Sequence, residues 1–293
     1  MKISSSAGTW VSLGVTVVLW ASAFAAIRAA LDGYTPGHLT LLRFLVASVV
    51  IAGYGLVMRL RLPRSRDLPS IALAGFLGIT IYHTTLNYGE VTVTAGSASL
   101  LVNTAPVFTA LLATGFLGER LRRWGWAGIA VSFLGAALIG FGESAGLDFD
   151  PGALLLIASA LSFSLYAILQ RPYLSRYTPI EFTACAIWAG TLPLLAYLPG
   201  IARDVRSAPL EATLAVVYLG VFPSAVAYIT WARVLSRMPA SSAASFLYLV
   251  SPLTIPIAWA WLGEVPSAVS LVGGVLALLG VVIVNTRGTA KVG

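Results

Sequence analysis

Ten continuous apolar stretches follow one another along this chain with only short connections between them. They cover residues 9–31, 38–59, 69–89, 93–117, 122–142, 151–170, 180–199, 210–232, 240–262 and 266–286. Each is close to the roughly 20 residues that a helix needs to cross a bilayer. A transmembrane barrel would instead alternate apolar and polar residues in strands of about ten. A soluble chain needs charge on its surface, about 25% of residues on average, whereas only 10% of these 293 residues are charged and 58% are hydrophobic. The first stretch exceeds the apolar region of a signal peptide, about 7–15 residues, and reads as a retained span. The predicted fold is an all-α integral membrane protein with ten transmembrane helices and no extramembrane domain.

Charge orients the spans. With both termini cytoplasmic, fourteen of the eighteen Lys and Arg residues fall inside, among them Arg59, Arg61, Arg64, Arg66, Arg122, Arg123, Arg171, Arg176, Arg233 and Arg237. Only Arg203 and Arg206 lie outside, and Arg28 and Arg43 lie within spans. This asymmetry follows the positive-inside rule, so the net charge of +7 implies a bilayer and no nucleic acid. The lone Cys185 permits no disulfide within the chain, and His38 and His83 are too few and too far apart to suggest a metal site. No cofactor and no catalytic residue is expected.

An internal repeat sets the architecture. Tyr34-Thr35-Pro36 recurs as Tyr177-Thr178-Pro179, and Arg28 is in register with Arg171. Leu117-Gly118-Glu119 recurs as Leu262-Gly263-Glu264, each about a dozen residues beyond a mid-span proline, Pro106 or Pro252, with Ser99 and Ser245 ahead of them. Gly128 and Gly135 match Gly273 and Gly280. Residues 1–146 therefore form one five-helix repeat and 147–293 a second, within one membrane domain. Five is odd, so the second repeat enters the bilayer from the opposite face. Inverted repeats of this kind mark secondary transporters, whose substrate site lies near the midplane between the repeats.

The two five-span halves, the Leu-Gly-Glu that ends a span in each, and the Leu42-Arg43-Phe44 that opens the second span resemble the EamA-type transporters of the drug/metabolite transporter superfamily. The aromatic-rich spans are most similar to the YddG-type exporters of aromatic and other amino acids. The resemblance implies a multi-pass protein of the bacterial inner membrane, exporting a small molecule by alternating access around a central cavity.

Polar side chains in hydrocarbon are costly and usually face protein or a wet cavity. The third span carries Tyr82, His83, Thr84, Thr85 and Asn87. His83 suits either a substrate carboxylate or a neutral bond to a neighbouring helix. Ser99 and Asn103 share a helical face before Pro106, and Tyr248 and Ser251 precede or adjoin Pro252. These residues line a site or let helices pack closely, with the prolines as bending points. Trp20 and Phe24 in the first span, Tyr166 in the sixth and Trp188 in the seventh are mid-span aromatics. They fill the core or, where they converge, offer flat walls for an aromatic side chain and a cation–π partner for an amino group. Arg43 reads as structural, snorkelling to the nearby interface.

None of the eleven acidic residues falls at the middle of a span, which leaves no buried anion for a cationic substrate. Small multidrug exporters of the superfamily use a glutamate in their first helix for proton exchange, and this chain has none there. Neutral or zwitterionic amino acids, carried down their gradient, are the first expectation, and proton coupling through His83 the second. Proton-coupled export of drugs or other metabolites is the alternative substrate reading. An intramembrane enzyme would need a catalytic partner brought to His83 by the fold, since no acidic partner lies near it in sequence. Nothing in the sequence requires an oligomer.

Overall fold

The computed structural model describes residues 7–116, 122–143, 149–237 and 246–288. They form ten helical passes, named α1–α10. Uninterrupted passes are α1 (Ala7–Leu31), α2 (Pro36–Met58), α5 (Arg123–Glu143), α6 (Pro151–Gln170) and α7 (Pro179–Leu194). Pass α3 comprises Leu68–Gly75, a π-helical Phe76–Ile81 and Tyr82–Gly89, and α8 comprises Leu210–Leu219, a π-helical Gly220–Val226 and Ala227–Leu235. Pass α4 comprises Ala95–Val102 and Ala105–Phe116, α9 is Leu247–Leu262, and α10 is Ala268–Ile283. Six segments are long and apolar enough to cross a membrane, and α9 and α10 are shorter apolar helices. Large apolar side chains such as Leu56, Val49 and Trp259 lie exposed on the outside, as lipid contact requires.

The interruptions have local causes. Pro106 lacks an N–H and its ring crowds the turn before it. The continuous span expected over 93–117 therefore breaks at Asn103-Thr104, where the Thr104 hydroxyl donates to the Leu101 carbonyl at 2.7 Å. The Tyr-Thr-Pro repeats begin α2 and α7, since Thr35 and Thr178 are their N-caps and a proline follows each. At Thr178 the cap is reciprocal, with the Glu181 carboxylate accepting from the Thr178 amide. Gly263 ends α9 with φ +69°, a conformation that favours glycine. Leu117-Gly118-Glu119 and Ser245 lie outside the described residues.

The repeat is visible in the packing. Pass α1 packs on α9 and α8, and correspondingly α6 packs on α4 and α3. Pass α2 packs on α8, and its counterpart α7 on α3. The pairs α5·α10 and α2·α7 join equivalent helices. In the α5·α10 seam a Cβ on Gly128 would lie 2.7 Å from the Gly280 carbonyl, and one on Gly273 2.7 Å from that of Gly135. Equivalent helices thus meet in antiparallel fashion, Gly128 against Gly280 and its mate Gly273 against Gly135, the mate of Gly280. The twofold that exchanges them runs across the helices, which is the geometry of an inverted repeat.

The π segments obey the same symmetry. Each starts one turn or less from a glycine, Gly75 or Gly220, at which a Cβ would strike a backbone carbonyl of the neighbouring helix: Ala186 for Gly75 and Arg43 for Gly220. Extra residues inserted into a helix at matched points typify functional sites.

An aromatic centre on the pseudo-twofold

Two cross-repeat pairs at the centre join symmetry mates. Trp20 and Phe163, in the register of Arg28 and Arg171, have ring centroids 5.9 Å apart and nearly perpendicular planes. His83 and Tyr228, in the register of Gly75 and Gly220, are bonded through His83 Nε2 and the Tyr228 hydroxyl at 3.0 Å. Around them Trp20 meets Tyr228 at 5.7 Å and Trp231 at 5.5 Å. Tyr82 meets His83 at 4.5 Å and Phe163 at 5.4 Å, and Tyr166 lies 6.2 Å from both Phe163 and Tyr228. Trp20, Tyr82 and Phe163 keep partial exposure at the centre of the bundle.

Arg43 joins this cluster, against the sequence reading. It does not snorkel: the residue is 1% exposed, and its guanidinium lies 5.5 Å from the Phe44 ring. Its Nε donates to the Ser224 hydroxyl at 3.1 Å. Arg43 Nη1 and His83 Nδ1 are buried without a hydrogen-bond partner among the described residues. The close approach of α2 to Gly220 of α8 holds the Arg43 backbone inside the bundle and denies its side chain a route to the surface. The signal was in the sequence: an arginine within a span marks a functional site by default.

The other candidate residues are distributed more widely. Asn103 Nδ2 donates to Ser251 Oγ at 2.5 Å, bridging α4 and α9 beside the α4 break. Ser99 spends its hydroxyl on the Gly96 carbonyl of its own helix. Phe24 is buried in the apolar core. Tyr248 is half-buried against a cluster that includes Val107 and Val281. Trp188 donates to the Ser48 carbonyl at 3.3 Å, tying α7 to α2. Trp20, Tyr82, His83 and Tyr166 are brought together, and Phe44, Phe163, Tyr228 and Trp231 complete their surroundings.

The two ends of the bundle are closed by different chemistry. At the end where α1 passes into α2, Arg28 Nε donates to Glu264 at 2.8 Å, and Glu264 also accepts from the Ala95 amide at 3.1 Å. Arg28 Nη1 donates to the Glu90 and Val91 carbonyls at 2.5 and 3.1 Å. The Glu90 side chain is fully buried, so a buried acid does exist at a span end where none was expected. Nearby, His38 bonds Asp204 of the short helix Ile201–Ser207, and this hydrogen bond holds the Asp204 carboxyl below the usual carboxylate range. At the opposite end the Tyr177 hydroxyl donates to Asp67 at 2.5 Å, with Arg176 3.5 Å away.

Known proteins align along the whole length. The model of the EamA-like transporter family matches twice, over residues 8–141 and 150–286. A probable terminal-alkyne amino-acid exporter of Streptantibioticus cattleyicolor is 44% identical over 98% of this chain and 95% of its own length. The uncharacterized transporter YdfC of Bacillus subtilis is 43% identical over 92% of this chain and 89% of its own, and the uncharacterized inner membrane transporter YedA of Escherichia coli is 27% identical over 84% and 80%. One solved crystal structure shares the fold, with a TM-score of 0.66 at 22% identity across 95% of this chain and 96% of that one. With both repeats matched and relatives aligned from end to end, this chain belongs to the EamA-like transporter family.

Proposed function

We propose that the protein exports neutral or zwitterionic amino acids, aromatic ones included, by alternating access around the aromatic centre. The observation that carries this reading is the Arg43 guanidinium, buried with Nη1 unpartnered among rings. A buried cation needs an anion, and an amino acid brings a carboxylate that an arginine can grip. Trp20, Tyr82 and Phe163 then offer the side chain a flat apolar wall, and an electron-rich face to the amino group. The relative named as a probable amino-acid exporter, 44% identical over the whole chain, supports the same substrate class. With both termini cytoplasmic, as the arginine distribution favours, the Arg28–Glu264 end faces outward.

Proteoliposomes loaded with unlabelled phenylalanine, tryptophan or threonine test this by counterflow of the labelled amino acid. Saturable accumulation, competed by excess unlabelled solute and weak for a substrate analogue without a carboxylate, is the expected result. Folded protein that moves none of the three would overturn the amino-acid reading and leave the carrier fold standing, with drugs or other metabolites as its cargo.

A further inference from the structure

The Glu90 carboxyl makes no hydrogen bond to the aromatic centre. Its side chain is 0% exposed, and neither oxygen has a hydrogen-bond partner among the described residues. Arg28 is its neighbour, but it directs Nε to Glu264 and Nη1 to the main-chain carbonyls of Glu90 and Val91, with no hydrogen bond to the Glu90 carboxyl. The charged and titratable groups that face Glu90 are Arg28 of α1, Arg43 of α2, Glu264 after α9, and Tyr82 of α3 itself. Towards α6, Asp150 is committed to the Thr92 hydroxyl at 2.8 Å and the Gly152 amide at 2.7 Å. An ionised carboxylate with no hydrogen bond in such a place bears its full desolvation cost, which the neutral acid escapes.

We propose that Glu90 is a proton-binding site, loaded while the Arg28–Glu264 bridge closes this end of the bundle and emptied when the bridge parts. Parting admits water and frees the Arg28 guanidinium. The Glu90 O–H then ionises, its proton passes to water, and the carboxylate pairs with Arg28. Closure returns Arg28 to Glu264, and Glu90 takes a proton back from water. Because the closed form holds the proton more tightly, acid favours closure and alkali favours opening. The mate of Glu90 in the second repeat is Leu235, so the matching point at the opposite end carries no second carboxyl. This inference rests on the alternating-access reading but not on the identity of the cargo.

The test uses the full chain in lipid nanodiscs without substrate. Spin labels at the exposed positions Asp32 and Val265, in a Cys185→Ser background, report the distance across this end. From about pH 5 to about pH 9, a range that brackets a displaced carboxyl titration, the parent is expected to shift from short to long distances. Glu90→Gln should stay short throughout. In parallel, the infrared band of a protonated carboxyl should be present in the closed form, disappear in Glu90→Gln and move in Glu90→Asp, the second variant guarding against a misfolded first. A gate distance that titrates equally in parent and Glu90→Gln, or a carboxyl band untouched by both substitutions, would overturn the proposal. Failure of amino-acid counterflow would leave these readouts unchanged.

Discussion

The two repeats agree in backbone and disagree in charge. Both use a Thr-Pro cap to start their second helix, a glycine and a π segment in the third, and glycines at a shared seam in the fifth. Yet the first repeat has Arg43 where the second has Ala186, and Glu90 where the second has Leu235. Small residues at close crossings are demanded by geometry, and an inverted repeat imposes the same geometry twice. Chemistry at the centre is not duplicated in this way, since a single cargo on the axis meets both halves at once. One arginine suffices to bind one carboxylate, and a second beside it would add a buried like charge.

The largest effect should come from breaking that asymmetry. Arg43→Gln removes the buried guanidinium and keeps a shorter, uncharged polar side chain in its place. Losing one member of a buried charge pair costs about 3–5 kcal/mol, so uptake at limiting substrate should fall by about 100-fold or more. Selectivity sharpens the test. The parent should prefer phenylalanine to phenylethylamine strongly, whereas the variant should scarcely distinguish them. A variant that is slow but equally selective would make Arg43 a structural residue.

The shared backbone is tested next. Gly135→Ala and its mate Gly280→Ala each push a Cβ into the backbone of the facing helix, and overpacking of this kind costs about 1–3 kcal/mol. Both should lower the melting temperature in detergent by similar amounts, because the seam is self-complementary. Gly53, whose Cβ would meet nothing within 4 Å, is the control. Gly53→Ala should be neutral or stabilising by up to about 1 kcal/mol. Unequal losses at the two seam positions would count against the twofold.

Aromatic stacking is a smaller term. Trp20→Ala removes edge contacts worth about 0.5–1.5 kcal/mol beyond area burial, so the KM for tryptophan should rise about three- to tenfold. The KM for threonine, with no ring to stack, should move less.

These expectations also mark what a single sequence can convey. The spans were legible because hydrocarbon tolerates few sequence patterns, and the seam was legible because glycine at matched intervals has few other uses. The π segments were not, since one added residue barely disturbs an apolar run. Arg43 was visible but assigned to the interface, because counting residues from a span end ignores how tightly α2 crosses α8 at Gly220. Aligning the repeats at the register of Arg28 and Arg171 would have paired Trp20 with Phe163 and set Arg43 opposite an alanine. Burial of Glu90 depends on Arg28 folding over the α3–α4 turn, and no local pattern encodes that.

The smallest effect, at Asp204, belongs to a comparison of the two ends through their carboxylates. Asp204 is held below its usual range first by its hydrogen bond to His38. Its contribution to stability is therefore present above the unfolded value, about 3.9, and is lost as pH falls through the lower folded one. The pair sits near the surface, so Asp204→Asn should cost no more than about 1 kcal/mol at neutral pH, and the loss should vanish in strong acid. Asp67 is buried to 6% exposure and accepts from the Tyr177 hydroxyl at the opposite end. Hydrogen bonds to charged groups contribute about 1.5–3 kcal/mol, so Asp67→Asn should lower the melting temperature more than Asp204→Asn does. Equal losses would mean that the two ends are anchored alike, and that their difference lies only in Arg28, Glu90 and Glu264.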